Sequence, residues 1–152
     1  MLVRSALALA LMVVPAFSQD LVDGSDPEAI LAIAKGYGSA DLQTDDAGDP
    51  QIIGRMDGQQ YAVSFYGCEG GKDCTNLQFA AVWVVDGAVT AEAVDAWNEA
   101  KRFGKAYLDE DGDPWLEMDV NLAFGVTRQN LDDTFDWWKV VVDGFIDEVV
   151  AQ

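Results

Sequence analysis

Trp115-Leu116-Glu117-Met118-Asp119-Val120-Asn121-Leu122-Ala123-Phe124, followed at once by Gly125-Val126-Thr127, is the stretch that decides the fold. Leu116, Met118, Val120, Leu122 and Phe124 alternate with Glu117, Asp119 and Asn121. A period of two with one apolar and one polar side predicts a strand with one face on a core and the other in water. Beyond the Gly-Val-Thr break the period changes. Leu131, Phe135, Trp138, Val142, Phe145 and Val149 form one stripe opposite Asp132, Asp136, Lys139 and Asp143, which predicts a long amphipathic helix. A half-buried strand feeding such a helix implies an antiparallel sheet with the helix lying across its apolar face.

The same reading extends upstream. Lys105 to Leu108 is a strand joined to the first by the turn Asp109-Glu110-Asp111-Gly112-Asp113-Pro114. Before it, Thr90 caps a helix with Val94 and Trp97 on its apolar side and Lys101-Arg102 at its end, where cations suit the helix dipole. Four more strands precede that helix: around Asp41 to Thr44, Gln51 to Met56, Tyr61 to Tyr66 and Asn76 to Val85, with Asp57-Gly58 as a hairpin signal. Ser25-Asp26-Pro27-Glu28 predicts a first helix, with Ser25 as its cap and Glu28 completing a capping box. The fold class expected is therefore α+β, order α-β-β-β-β-α-β-β-α. The antiparallel sheet has about five to six strands, and the helices pack mainly on one face. No internal repeat is apparent.

Residues 1–18 carry a basic end, an apolar run and an Ala16-Phe17-Ser18 cleavage site, the parts of a secretory signal. The expected organisation is a signal peptide at 1–18, a linker at 19–24 and a single domain at 25–152. The protein would then be periplasmic or secreted from a bacterium, with no membrane insertion after cleavage. The chain has 9 Lys and Arg against 27 Asp and Glu, a formal charge of −18. Such a balance repels phosphate and argues against nucleic-acid binding.

Cys68 and Cys74 enclose a glycine-containing turn between two strand-like runs, and in an exported chain they read as a structural disulfide. A redox pair is the alternative, although five residues intervene where active pairs usually have two. Two thiols without histidine are half a zinc site. The chain has no histidine at all, which removes the commonest general base and any Ser-His-Asp triad. Asp109 to Asp113 invites a calcium reading, but the glycine falls fourth rather than sixth and the twelfth position is Val120, so a hairpin turn fits better. No metal and no cofactor is expected.

Trp97-Asn98-Glu99-Ala100-Lys101-Arg102-Phe103, Ala106-Tyr107-Leu108-Asp109-Glu110-Asp111-Gly112, Glu117-Met118-Asp119-Val120-Asn121-Leu122, Gly125-Val126-Thr127 and Trp137-Trp138 together resemble the YbjN family. These bacterial proteins are labelled sensory transduction regulators. The resemblance implies the fold of type III secretion chaperones and a binding or regulatory module rather than an enzyme, and it carries over no catalytic residue. The signal peptide and the cysteine pair depart from the better-known members.

The residues expected to meet a partner are Trp115 and Trp137, which fall on polar sides, and the basic cluster Lys101, Arg102 and Lys105. Exposed tryptophans suit an interface hot spot, while packing beneath a loop or against a second subunit explains them equally well. The cations suit an anion or an acidic peptide, or else a helix terminus with cross-strand pairing. The leading expectation is a non-catalytic module recognising a protein or peptide partner, with a homodimer as one admissible assembly. A small-molecule sensor or carrier with a pocket between sheet and helices is the alternative. A carboxylate-based enzyme comes third.

Overall fold

A computed structural model describes residues 21–151. The signal peptide expected at 1–18 lies outside the described residues. Of the expected linker, Leu21–Val22 instead forms a short strand, β1, which pairs antiparallel with β8, Val126–Thr127. Gly24 bridges to Cys74, and Val22 is buried. Burying Val22 removes its apolar surface from water, while Leu21 stays 57 % exposed.

The remaining strands form one antiparallel sheet: β2 (Ala40–Thr44), β3 (Pro50–Met56), β4 (Gln59–Tyr66), β5 (Asn76–Val82), β6 (Lys105–Leu108) and β7 (Pro114–Asn121). Their spatial order is β2-β3-β4-β5-β7-β6, so β2 and β6 are the edges. With helices α1 (Pro27–Ala34), α2 (Ala91–Ala100) and α3 (Arg128–Phe145) the class is α+β in the expected order. Alternation along β3, β4, β5 and β7 buries Ile52, Val63, Phe65, Leu77, Phe79, Leu116 and Met118 on one face. The α3 stripe Leu131, Phe135, Trp138, Val142 and Phe145 is buried there too, and the π-helical turn Ile146–Val150 extends it to Val149. Phe79 meets Phe135 edge-on at 4.9 Å and Trp138 at 5.6 Å between ring centres, so the sheet–helix seam is a packed aromatic layer. The other face of the sheet carries a polar ladder: Gln43 donates to Gln51, Gln51 to Ser64, and Gln78 to Asp119.

Several local expectations change. The cap of α1 is Asp26, whose side chain accepts from the Ala29 N–H, while Ser25 donates to Asp23; with Pro27 in the first turn, the residue immediately before it is the one placed to cap. β5 stops at Val82, and Val84 is exposed. β7 ends at Asn121; buried Leu122 adds one more rung in the same register by donating its N–H to the Thr75 carbonyl, and the chain then turns, the Gly125 N–H closing on the Leu122 carbonyl. Phe124, expected inward, is therefore 99 % exposed, with φ 70°. That backbone region crowds Cβ of an L-residue. Phe124→Asn should stabilise the protein by about 0.5–1 kcal/mol in urea unfolding, because Asn tolerates the left-handed region and no packing is lost.

Cys68 and Cys74 form a disulfide across the β4–β5 loop. Lys139 of α3 pairs with Asp143 at 2.8 Å and with Asp57 in the β3–β4 turn, tying the helix to the sheet end. Both carboxylates hold its ammonium well above the usual lysine range. At the β6 edge, Asn98 of α2 donates to the Ala106 carbonyl and accepts from the Ala106 N–H, both at 2.9 Å. One carboxamide thus does for β6 what a neighbouring strand would do.

Candidate functional site

The five residues expected to meet a partner fall into two clusters on opposite sides of the sheet. Lys105 and Trp115 lie on the open face. Their register partners are Glu117 and Val82, and Tyr107 stands opposite Trp115. The Tyr107 and Trp115 rings are nearly parallel, 6.2 Å apart, and Tyr107 Oη donates to Glu117 Oε1 at 2.9 Å. Burial first, then that hydrogen bond, pushes the Tyr107 hydroxyl up to about 12. Lys105 Nζ sits 5.3 Å above the Tyr107 ring and 3.9 Å from Glu117. Trp115 is half-buried rather than exposed, because its indole N–H donates to Asp109 Oδ2 at 3.0 Å.

That bond also explains the acidic turn. Asp109 Oδ1 accepts from the N–H groups of Asp111 and Asp113, and Gly112 takes φ 83° to close the hairpin. The Trp115 and backbone donors hold the Asp109 carboxyl below its ordinary value. Its oxygens thus build the turn, and Asp113 accepts from the Val85 N–H. Residues 45–49 repeat the device: Asp45 Oδ1 accepts from Ala47 and Asp49, Gly48 has φ 91°, and Pro50 follows. The shared Asp-x-x-Gly-Asp-Pro signature is legible in the sequence but short enough to pass unnoticed.

Lys101, Arg102 and Trp137 come together on the helical side, so the three cations are not one cluster. The chain leaves α2 when Lys101 adopts φ −106°, ψ 143°, and Gly104 at φ 80° turns it into β6. A Cβ on Gly104 would lie 2.7 Å from Val141 Cγ1 of α3, so this position needs glycine for both conformation and space. The close approach places Phe103 against Trp137, ring centres 5.1 Å apart. Between α2 and α3 this leaves a groove of about 350 Å³ lined by Trp97, Phe103, Trp137 and Val140, with Lys101 and Arg102 at its rim.

The groove is apolar and wet at once. Phe103 is 45 % exposed, Trp137 42 % and Val140 60 %. Its floor is rigid: Trp97 is buried and meets Phe145 edge-on at 5.1 Å. Lys101 Nζ lies 4.9 Å above the Trp97 ring and 2.6 Å from Glu148 Oε1, so its charge is partly spoken for. Arg102 makes no ion pair among the described residues, and its guanidinium stands 5.8 Å from the Phe103 ring. Among the described residues no group of three or more metal-ligating side chains converges, and no helix is long and apolar enough to cross a membrane.

This geometry defines a small α+β domain with an exposed aromatic groove framed by a helix end and a glycine turn. The chain belongs to the YbjN family, described as "putative bacterial sensory transduction regulator", whose family model matches residues 26–151. No curated protein matches the sequence. The segment 97–103, the sharpest part of the family resemblance, builds both the groove floor and rim and, through Asn98, the cap on the β6 edge.

Proposed function

We propose that the protein is an exported, non-catalytic regulatory module that recognises a protein partner through the α2–α3 groove. The observation that carries this reading is the cluster of Phe103, Trp137 and Val140, three large apolar side chains left exposed side by side over a rigid tryptophan floor. An exposed cluster at a packed, preorganised site is the arrangement from which interface hot spots are built. Arg102, in no ion pair among the described residues, supplies at the rim a donor that favours a carboxylate next to the partner's apolar anchor. The family's description as a regulator agrees with a binding role. The seam between sheet and helices, where a ligand pocket was the alternative, is filled by Phe65, Phe79, Phe135, Trp138 and Phe145, all fully buried.

Trp137→Ala and Phe103→Ala should each weaken partner capture by about 2 kcal/mol, some thirtyfold, while the far-ultraviolet dichroism is retained. Capture that survives both substitutions would remove the groove from the account.

A further inference from the structure

The two edges of the sheet are treated differently. In the β6–β7 hairpin the Asp109 N–H donates to Asp113, so by the alternation of an antiparallel pair Ala106 points its polar groups outward, and Asn98 takes both. In the β2–β3 hairpin the Asp45 N–H donates to Asp49 and the Arg55 N–H to Ser39. The same alternation turns the N–H and C=O groups of Leu42 and Thr44 outward, and these meet no hydrogen-bond partner among the described residues. Residues 40–50 also hold Asp41, Asp45, Asp46 and Asp49 and no lysine or arginine, and none of the four is in an ion pair among the described residues.

We infer that the β2 edge is a second docking surface, one that accepts an extended, lysine- or arginine-bearing peptide segment as an added strand. Main-chain bonds to Leu42 and Thr44 set its register, and alternate cationic side chains meet Asp41 on the open face and the aspartates of the 45–49 turn. A second copy of the chain is a poor occupant. It would set the same four aspartates against each other in a protein of net charge −18.

The test uses a fluorescently labelled peptide alternating lysine and valine, and its counterpart N-methylated at every second residue, titrated against the signal-processed protein. The parent peptide should saturate. N-methylation should weaken binding by roughly tenfold, since it keeps the charge and removes the backbone donors. Thr44→Pro and Asp41→Lys should weaken it similarly, and Trp137→Ala should leave it unchanged, separating this surface from the groove. The amides of Leu42 and Thr44 should slow their hydrogen exchange when the peptide is bound, a readout on the unaltered protein that does not depend on the proline variant folding. Absence of saturable binding, equal affinity for the N-methylated peptide, or a wild-type dimer that Thr44→Pro converts to monomer would overturn the inference.

Discussion

Gly54→Val is expected to destabilise the protein by about 3 kcal/mol. Gly54 and Tyr61 face each other across β3 and β4. A Cβ at Gly54 would sit 2.5 Å from Tyr61 Cζ and 2.6 Å from its hydroxyl oxygen. The glycine is there for space: its backbone is ordinary strand, and the ring of Tyr61 lies over it in the core. Because Tyr61 is 2 % exposed, the ring cannot swing into water without losing its burial. Truncating Tyr61 to alanine should therefore cost less in the Gly54→Val background than in the wild type, a non-additivity that a double-mutant cycle in urea measures.

The hydroxyl of Tyr61 finds no hydrogen-bond partner among the described residues, and burial pushes it up to about 12. Its neutral form is the one the fold favours. The contribution is complete below pH 10, the ordinary tyrosine value, and is lost as pH rises from there to about 12. Tyr61→Phe should change stability at neutral pH by less than about 1 kcal/mol and flatten this alkaline loss.

The second large effect is expected at Asn98. Replacing it by leucine keeps the volume but removes both bonds to Ala106, so two backbone groups at the β6 edge lose their protein partner. A cost of about 2–3 kcal/mol follows. The uncovered β6 edge should also promote association at raised protein concentration. Measuring the urea midpoint together with sedimentation velocity separates the two consequences. A stability within about 0.5 kcal/mol of wild type would mean that Asn98 is incidental to the edge.

What the sequence revealed, and what it hid, follows from the range of the interactions. The α3 stripe and the buried alternation of β4, β5 and β7 were legible because period and apolarity are properties of neighbouring residues. The end of β7 was not. Phe124 continues the alternation, but the chain leaves the sheet just after Leu122, where the Gly125 N–H closes a turn on the Leu122 carbonyl and Phe124 takes φ 70°. Leu21 and Val22 read as a linker because their partners lie more than 100 positions away at Val126 and Thr127.

The candidate site was half visible. Trp137 sits on the polar side of a helix, and that position identifies it as exposed. That Phe103 would stand beside it depends on Gly104 packing on Val141, a contact no local pattern encodes. The basic cluster misled for a simple reason. Lys101, Arg102 and Lys105 are close in sequence, but the chain changes from helix to strand between them and sends Lys105 to the other face of the sheet. The half-burial of Trp115 was equally hidden, since it depends on a bond to Asp109 across a turn.

Site-specific photocrosslinking decides whether a partner docks in the α2–α3 groove. A benzophenone side chain placed at Val140, inside the groove, is compared with one placed at Gln129, an exposed position at the other end of α3, in cells that express the full chain. Position 140 should give a discrete covalent adduct that is lost when Trp137→Ala is added, and position 129 should give none. Failure of position 140 to crosslink in correctly expressed protein, or an adduct indifferent to Trp137→Ala, would contradict docking in the groove.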